Sequence, residues 1–257
     1  MNETRDPDEE ASGGSPPCFL HELGPDGAPR DARQAGDVAR WRKAERARLL
    51  ELRGAVAVEE RARHTAAIGA ALDALLEPHA DAMVSLYWPI RAEPDLRSWM
   101  RAACERGLRV ALPVAIALGR PMTFREWRPG AAMARGLWKI PHPADGPDVS
   151  PTHVIAPLVG FDAGCYRLGY GGGFFDRTLA AMARKPTVIG VGYPQLRIAT
   201  IFPQAYDIPM DWIVTGGVPP LRRADKRRGR PRAASRRPST LTRRAPRAAA
   251  APPGSAG

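Results

Sequence analysis

The sequence predicts an α/β protein with an open, mostly parallel sheet and helices on both faces. Two observations carry this reading. Short apolar runs of strand length recur at MVSLYWPI (83–90), RVALPVAI (109–116), THVIAPLVGFD (152–162) and TVIGVGY (187–193). Segments with apolar residues at helical spacing separate several of them, and strands that alternate with helices favour parallel crossovers. The 152–162 run is continuously apolar rather than alternating, which suits a strand buried on both faces. Helices on both sides of such a sheet make a Rossmann-like three-layer architecture.

The elements follow in order. Residues 1–37 are rich in Gly, Pro, Asp and Glu and poor in apolar residues, which predicts a disordered acidic leader. From Val38 the pattern is helical. WRKAERARLLELR (41–53) sets Trp41, Leu49, Leu50 and Leu52 among many bases. VAVEERARHTAAIGAALDALLE (56–77) places Ile68, Leu72, Leu75 and Leu76 on one side, and Pro78 closes it. The strand at 83–90 follows, then a helix in PDLRSWMRAACERG (94–107) that stops at Gly107. Strands are expected at 109–116 and, alternating, at MTFREW (122–127). After the 152–162 strand come a glycine-rich stretch, a helix through FFDRTLAAMAR (174–184), and strands at 187–193 and DWIVT (211–215). No internal repeat is present. The expected α/β domain spans 38–217, and 218–257 reads as a disordered basic tail without apolar periodicity.

The net charge of +11 belongs to that tail. Residues 218–257 hold 12 Lys or Arg and one acid, Asp225, which leaves 26 bases and 26 acids in the first 217 residues. A nucleic-acid partner is therefore expected only through the tail, by counterion release with little sequence preference. The tail also has the Ala, Arg, Pro and Gly bias of GC-rich DNA read out of frame or past a lost stop. No stretch approaches the roughly 18 apolar residues of a membrane span, and the first residues lack a secretory signal pattern. Three scattered cysteines, Cys18, Cys104 and Cys165, form no metal spacing. These features predict a cytoplasmic protein with no membrane partner. The five histidines show no ligand spacing and read as structural or exposed.

RLGYGGGFFDRTLA (167–180) is the stretch that asks for a function. It lies between a buried strand and a helix, where open α/β sheets collect ligands and helix N-termini suit phosphate. Gly169, Gly171, Gly172 and Gly173 let a backbone wrap an anion, and Arg167 adds a charge-assisted contact. The stretch is neither GxGxxG nor GxxxxGK[ST], so two familiar phosphate motifs are excluded. A tight turn without a ligand is the plain alternative, and Asp176 alone reads as a first-turn carboxylate.

RLGYGGGFFDR resembles the signature of the 5-formyltetrahydrofolate cyclo-ligase (methenyltetrahydrofolate synthetase) family. WRKAERARLLELRGAVAVEERAR, LYWPIRAEPDL, LPVAIALGRPMTFREW, GLWKIPHP and DIPMDWIVT resemble further family segments in the same order, over roughly Val38 to Thr215. The resemblance implies a monomeric ligase that takes the small-molecule substrate 5-formyltetrahydrofolate and MgATP to 5,10-methenyltetrahydrofolate, ADP and phosphate. The formyl oxygen is phosphorylated and N10 closes the ring. Positioning and charge neutralisation dominate phosphoryl transfer, consistent with the lack of a nucleophilic triad.

The implied site follows position by position. ATP contacts fall on Arg42, Lys43 and Arg46, and on Arg167, Leu168, Gly169, Tyr170, Gly171, Gly172, Gly173, Phe174 and Phe175. Folate contacts fall on Trp88, Glu93 and the overlapping loop Tyr170, Gly171, Gly172, Gly173 and Phe174. Arg167 and Glu93 carry catalysis. The Mg²⁺ carboxylates fall on Asp176 and Asp207, with Asp211 reading as a turn cap; hard oxygens suit that ion. Three departures stand out: Arg42 where lysine is frequent, Gly172 where lysine is frequent although glycine also occurs, and Leu96 where a threonine is usual. The Gly172 and Leu96 departures motivate one alternative, a catalytically impaired folate- or nucleotide-binding regulator. A nucleic-acid-associated protein acting through the tail is the other. Without the resemblance, Glu93 reads as a surface residue, Trp88 as core, and Arg42 with Arg46 as a solvated helix face.

Overall fold

The structure, a computed structural model, describes residues 32–76 and 82–224. The acidic leader through residue 31, Pro78 and the basic tail from residue 225 lie outside the described residues. So do Cys18, His21 and His79.

Seven strands form the main sheet. In chain order the strands are β1 (Met83–Ser85), β2 (Arg109–Val114), β3 (Thr123–Trp127), β4 (Met133–Arg135), β5 (Pro141–Pro143), β6 (His153–Pro157), β7 (Gly160–Phe161), β8 (Arg167–Leu168), β9 (Thr187–Val191), β10 (Trp212–Val214) and β11 (Leu221–Arg222). The main sheet runs β11-β10-β9-β6-β1-β2-β3. From β10 to β2 all neighbours are parallel, and only the edge strands β11 and β3 are antiparallel. β4 pairs with β5, and β7 with β8, in small antiparallel ribbons.

The helices are α1 (Ala32–Ala55), α2 (Val58–Leu75), α3 (Arg97–Glu105) and α4 (Phe174–Ala181). Strand side chains alternate between two cores, as the period of two demands. Met83, Ala111, Val154, Ala156, Val188 and Ile213 meet Leu49 of α1, Val56 just after it and Leu179 of α4. Val84, Val110, Leu112, Ile155, Ile189 and Val214 meet Ile68, Leu72 and Leu76 at α2, with Met100 and Ala103 of α3. These are the three expected layers. The central strands β1 and β6 are fully buried at Ser85, Val154, Ile155 and Ala156, which is why their sequence does not alternate.

Several boundaries differ from the sequence reading. The helix expected from Val38 begins at Ala32, inside the expected leader. The chain after Gly217 adds an edge strand, Leu221–Arg222, which pairs with β10 and puts Leu221 against the core. The 83–90 strand is only three residues long. Beyond Ser85 the chain runs out of the sheet as a loop, and the continuous apolar sequence there packs a loop rather than a strand. The expected 152–162 strand is two, β6 and β7, and the second leaves the main sheet to pair with β8; β4, β5 and β8 were not legible, because their residues neither alternate nor form a run of strand length.

Candidate active site

A cavity of about 490 Å³ opens where the chain leaves the carboxyl ends of β1, β2 and β6. Tyr87 and Trp88 follow β1, Ala115 follows β2, and Pro157 ends β6. The glycine loop and the first turn of α4 supply the facing wall through Arg167, Gly169, Tyr170, Gly172, Phe174 and Phe175. This is the place that sheet topology reserves for ligands. Gly171 (φ 94°) and Gly173 (φ 62°) both take the left-handed conformation that glycine adopts without strain. A Cβ at Gly171 would lie 3.3 Å from the Arg46 guanidinium carbon, so the loop passes tightly over that side chain.

α1 lies beneath the loop. Val38, Arg42, Leu49 and Arg53 are all buried and recur at helical spacing on one face, with half-buried Arg46 on the same stripe. Arg46 donates from Nε to the Gly169 carbonyl (2.8 Å). Burial, and secondarily the charge of Arg42, pull its pKa down. Arg42 turns instead toward the 201–207 segment. It donates to the carbonyls of Ile201 (2.9 Å) and Phe202 (2.8 Å) and pairs with Asp207 at 2.5 Å. Lys43, the neighbouring base, is exposed.

Arg167 on β8 is buried to 8 % exposure and pairs with Asp176 of α4 at 2.8 Å. Its guanidinium lies over the Phe175 ring, 5.0 Å from the centroid. Its buried Nε has no protein partner. A buried donor without an acceptor is costly, and this one belongs to a residue that lines the cavity.

Glu93 is buried in the loop after β1. Arg91 (φ 47°) and Ala92 (φ 60°) precede it, two consecutive non-glycine residues in the left-handed region. One Glu93 oxygen accepts the Ile90 amide (2.9 Å), and the other accepts the Tyr170 hydroxyl (2.8 Å). Arg53, completely buried, donates to that same hydroxyl (2.5 Å) and lies 3.9 Å from the carboxylate. Burial raises the Glu93 pKa; the Ile90 amide, Tyr170, Arg53 and Arg91 oppose that shift without cancelling it. Trp88 lines the cavity half-buried, with the Arg97 guanidinium 5.5 Å from its ring centroid.

Three residues that sequence reasoning passed over belong to this site. Arg53 shares the helical stripe of Arg42 and Arg46, a spacing that would have found it. Trp138 and His142 line the cavity's far side, and Trp138 packs edge-on against Phe174 at 5.2 Å between centroids. Of the expected residues, the cavity brings together Trp88, Glu93, Arg167, Gly169, Tyr170, Gly172, Phe174 and Phe175. Leu168 is buried in the core. Arg42, Lys43, Arg46, Gly171, Gly173, Asp176 and Asp207 do not line the cavity.

The two expected metal carboxylates differ. Among the described residues no three His, Cys, Asp or Glu side chains converge into a metal centre. Mg²⁺ commonly takes one or two carboxylates and completes its shell with phosphates and water. Asp176 is partly exposed; its oxygens take Arg167 and, at 3.2 Å, the Ile208 amide. Carboxylate oxygens have further lone pairs, so Asp176 fits such an ion. Both oxygens of Asp207 are held by Arg42, one also by the Gln204 amide, and the group is nearly buried. As arranged, Asp207 fits the ion poorly and fits the anchoring of Arg42 well.

The sequence model of the 5-formyltetrahydrofolate cyclo-ligase family matches residues 38–216. The chain belongs to the 5-formyltetrahydrofolate cyclo-ligase family. It is 31% identical over 140 residues to the enzyme of that name from Mycolicibacterium smegmatis, covering 51% of this chain and 72% of the relative. The same identity holds for the Escherichia coli K12 enzyme, over 76% of that protein. The NMR structure of an Aquifex aeolicus 5,10-methenyltetrahydrofolate synthetase superposes with a TM-score of 0.65 at 27% identity, over 76% of this chain and 98% of that one. In this member of the family, the glycine loop and the Glu93 loop are the two sides of one cavity.

Proposed function

We propose that this chain closes 5-formyltetrahydrofolate to 5,10-methenyltetrahydrofolate with ATP and Mg²⁺, releasing ADP and phosphate. Membership in the cyclo-ligase family supports the reaction. The observation that carries the site assignment is the juxtaposition of a buried carboxylate, Glu93, with a buried cation, Arg167, across one cavity.

The residues divide the chemistry. A formamide carbon is a weak electrophile, and its oxygen leaves poorly. Transfer of the γ-phosphoryl group of ATP to that oxygen cures both defects. Arg167, with its spare Nε–H, neutralises charge on the transferring group, and the amides at the start of α4 add their dipole. Mg²⁺, held by Asp176 and the nucleotide phosphates, would supply further charge neutralisation when bound. Arg46 supports the loop from beneath, and Arg42, anchored by Asp207, buttresses the helix that carries it. Across the cavity, Glu93 accepts N–H groups of the folate, and Trp88 and Tyr170 offer ring faces to its flat pterin. N10 then bonds to the formyl carbon, the carbon–oxygen bond breaks, and phosphate departs. Glu93 is placed to take the proton that N10 sheds, and its burial raises its pKa and so its proton affinity.

Near-ultraviolet absorbance of the methenyl product tests this directly. Turnover is expected only when 5-formyltetrahydrofolate, ATP and Mg²⁺ are all present. Binding of nucleotide and folate without turnover would overturn the ligase reading in favour of a regulator.

A further inference from the structure

The buried guanidinium of Arg53 touches three segments at once. From α1 it donates through Nε to the Arg91 carbonyl (2.9 Å), through Nη1 to the Leu158 carbonyl (3.1 Å), and through Nη2 to the Tyr170 hydroxyl (2.5 Å). It also lies over the Tyr170 ring, 5.5 Å from the centroid. No other described side chain ties the Glu93 loop, the end of β6 and the glycine loop to a single helix in this way.

Arginine has five N–H donors and no acceptor. A hydroxyl that receives a bond from it must therefore send its own proton elsewhere. The Tyr170 hydroxyl has one such partner, the Glu93 oxygen at 2.8 Å. The other Glu93 oxygen is already occupied by the Ile90 amide. We infer that Arg53 is a positioning residue of the site: by donating to the Tyr170 hydroxyl it fixes that hydroxyl's proton on Glu93 and keeps the carboxylate an anionic acceptor for the substrate. Tyr170 is then a relay as well as a wall of the cavity. The same guanidinium pins Arg91, the first of the two left-handed residues that aim Glu93 inward. This inference rests on the proposed role of Glu93 in folate binding.

Other groups lie near Glu93. Arg91, on its own loop, opposes the rise in its pKa, Tyr87 follows β1, and Tyr193 follows β9. Tyr87 donates its hydroxyl to the Pro94 carbonyl, so its proton is committed away from Glu93. Among the described side chains, Arg53 and Tyr170 are the ones joined to the carboxylate through an ordered chain of donors.

The test reads the carboxylate itself, in the full-length protein without substrate. The chain is labelled with carbon-13 at glutamate carboxyls, and Glu93→Gln identifies the Glu93 signal. Tyr170→Phe removes the relay hydroxyl and leaves Arg53 in place. Its Glu93 midpoint is expected to rise by about one unit, a tenfold gain in proton affinity, and the acid limb of kcat/KM is expected to move with it. Arg53→Lys keeps the charge but loses the fork, and should raise the midpoint less. In the Tyr170→Phe background the same Lys substitution should add almost nothing. An unchanged midpoint in folded Tyr170→Phe protein overturns the inference. Additive shifts in the double variant also overturn it, because Arg53 would then act on the loop alone. If the midpoints shift as expected in protein that never turns over folate, the relay stands and the ligase reading falls.

Discussion

The two longest helices cover opposite faces of one sheet and do opposite work. α2 buries Ile68, Gly69 and Leu72, and its contribution is apolar. α1 buries arginines between its apolar anchors: Arg42 and Arg53 are both inside, separated by Leu49. Each buried guanidinium on α1 is matched by carbonyls and a carboxylate, which is the condition for keeping a charge out of water. A helix that buries only apolar groups is scaffold. A helix that spends its inner face on paired cations is holding a polar site in place, and here that site is the cavity between the glycine loop and Glu93.

The comparison is sharpest at Glu93. Glu93→Gln keeps the shape and the Ile90 and Tyr170 neighbours but removes the charge. Turnover is expected to fall by about 10²-fold or more, the scale of a lost general base. Stability should move the other way. Burial raises the Glu93 pKa, so the folded state holds its proton to higher pH than the unfolded chain does. That contribution is fully present below the ordinary glutamate value and is lost as pH rises through the folded value. At neutral pH the wild type carries a buried anion that the glutamine does not. Thermal melting at pH 7 should show the variant equal to or above the wild type, with the difference shrinking in acid. A variant that melts lower at pH 7 would mean that the carboxylate is held for stability.

Arg167→Ala is next. Loss of a charge-assisted contact to phosphate is worth roughly 1.5–3 kcal/mol, or about 10- to 150-fold in kcat/KM. The loss should appear in both KM for ATP and kcat, since Arg167 is paired with Asp176 at rest and is proposed to meet the transferring group. Kinetics matching the wild type in folded protein would reduce the glycine loop to a turn.

The scaffold side was the more legible in sequence. Ile68, Leu72 and the strand runs announce themselves by period, and burial on both faces explains why 153–157 never alternates. The site was legible where chemistry concentrates in sequence, as in Arg167 to Asp176, and Glu93 was found through the family resemblance. It was hidden where tertiary contacts decide. Arg53 looks like one more base on a basic helix until the Glu93 loop and Tyr170 close over it. Asp207 looks like a metal carboxylate until Arg42 takes both its oxygens. Trp138 and His142 sit in a segment with no periodic pattern, and only the fold brings them to the cavity. A helix face that mixes arginines with leucines one turn apart is the signal that was present and undervalued.

Leu72→Ala should have the smallest effect on chemistry and is the control for the whole comparison. Leu72 is fully buried on α2, in the core that faces away from α1 and α4. Truncation removes transfer energy and leaves a cavity, about 2–5 kcal/mol for a leucine of this kind. For a domain of this size each kcal/mol lowers Tm by roughly 2–4 °C, so a drop of about 4–20 °C is expected. Yet Leu72 touches neither the glycine loop nor Arg53, and per folded molecule kcat/KM should stay within about twofold of wild type, as for distant, independent sites. Denaturant unfolding and initial rates, both at 25 °C, separate the two quantities. The comparison breaks if kcat falls while stability holds. That result would mean the α2 core transmits strain through β1 into the Glu93 loop, and that the apolar helix is part of the site after all.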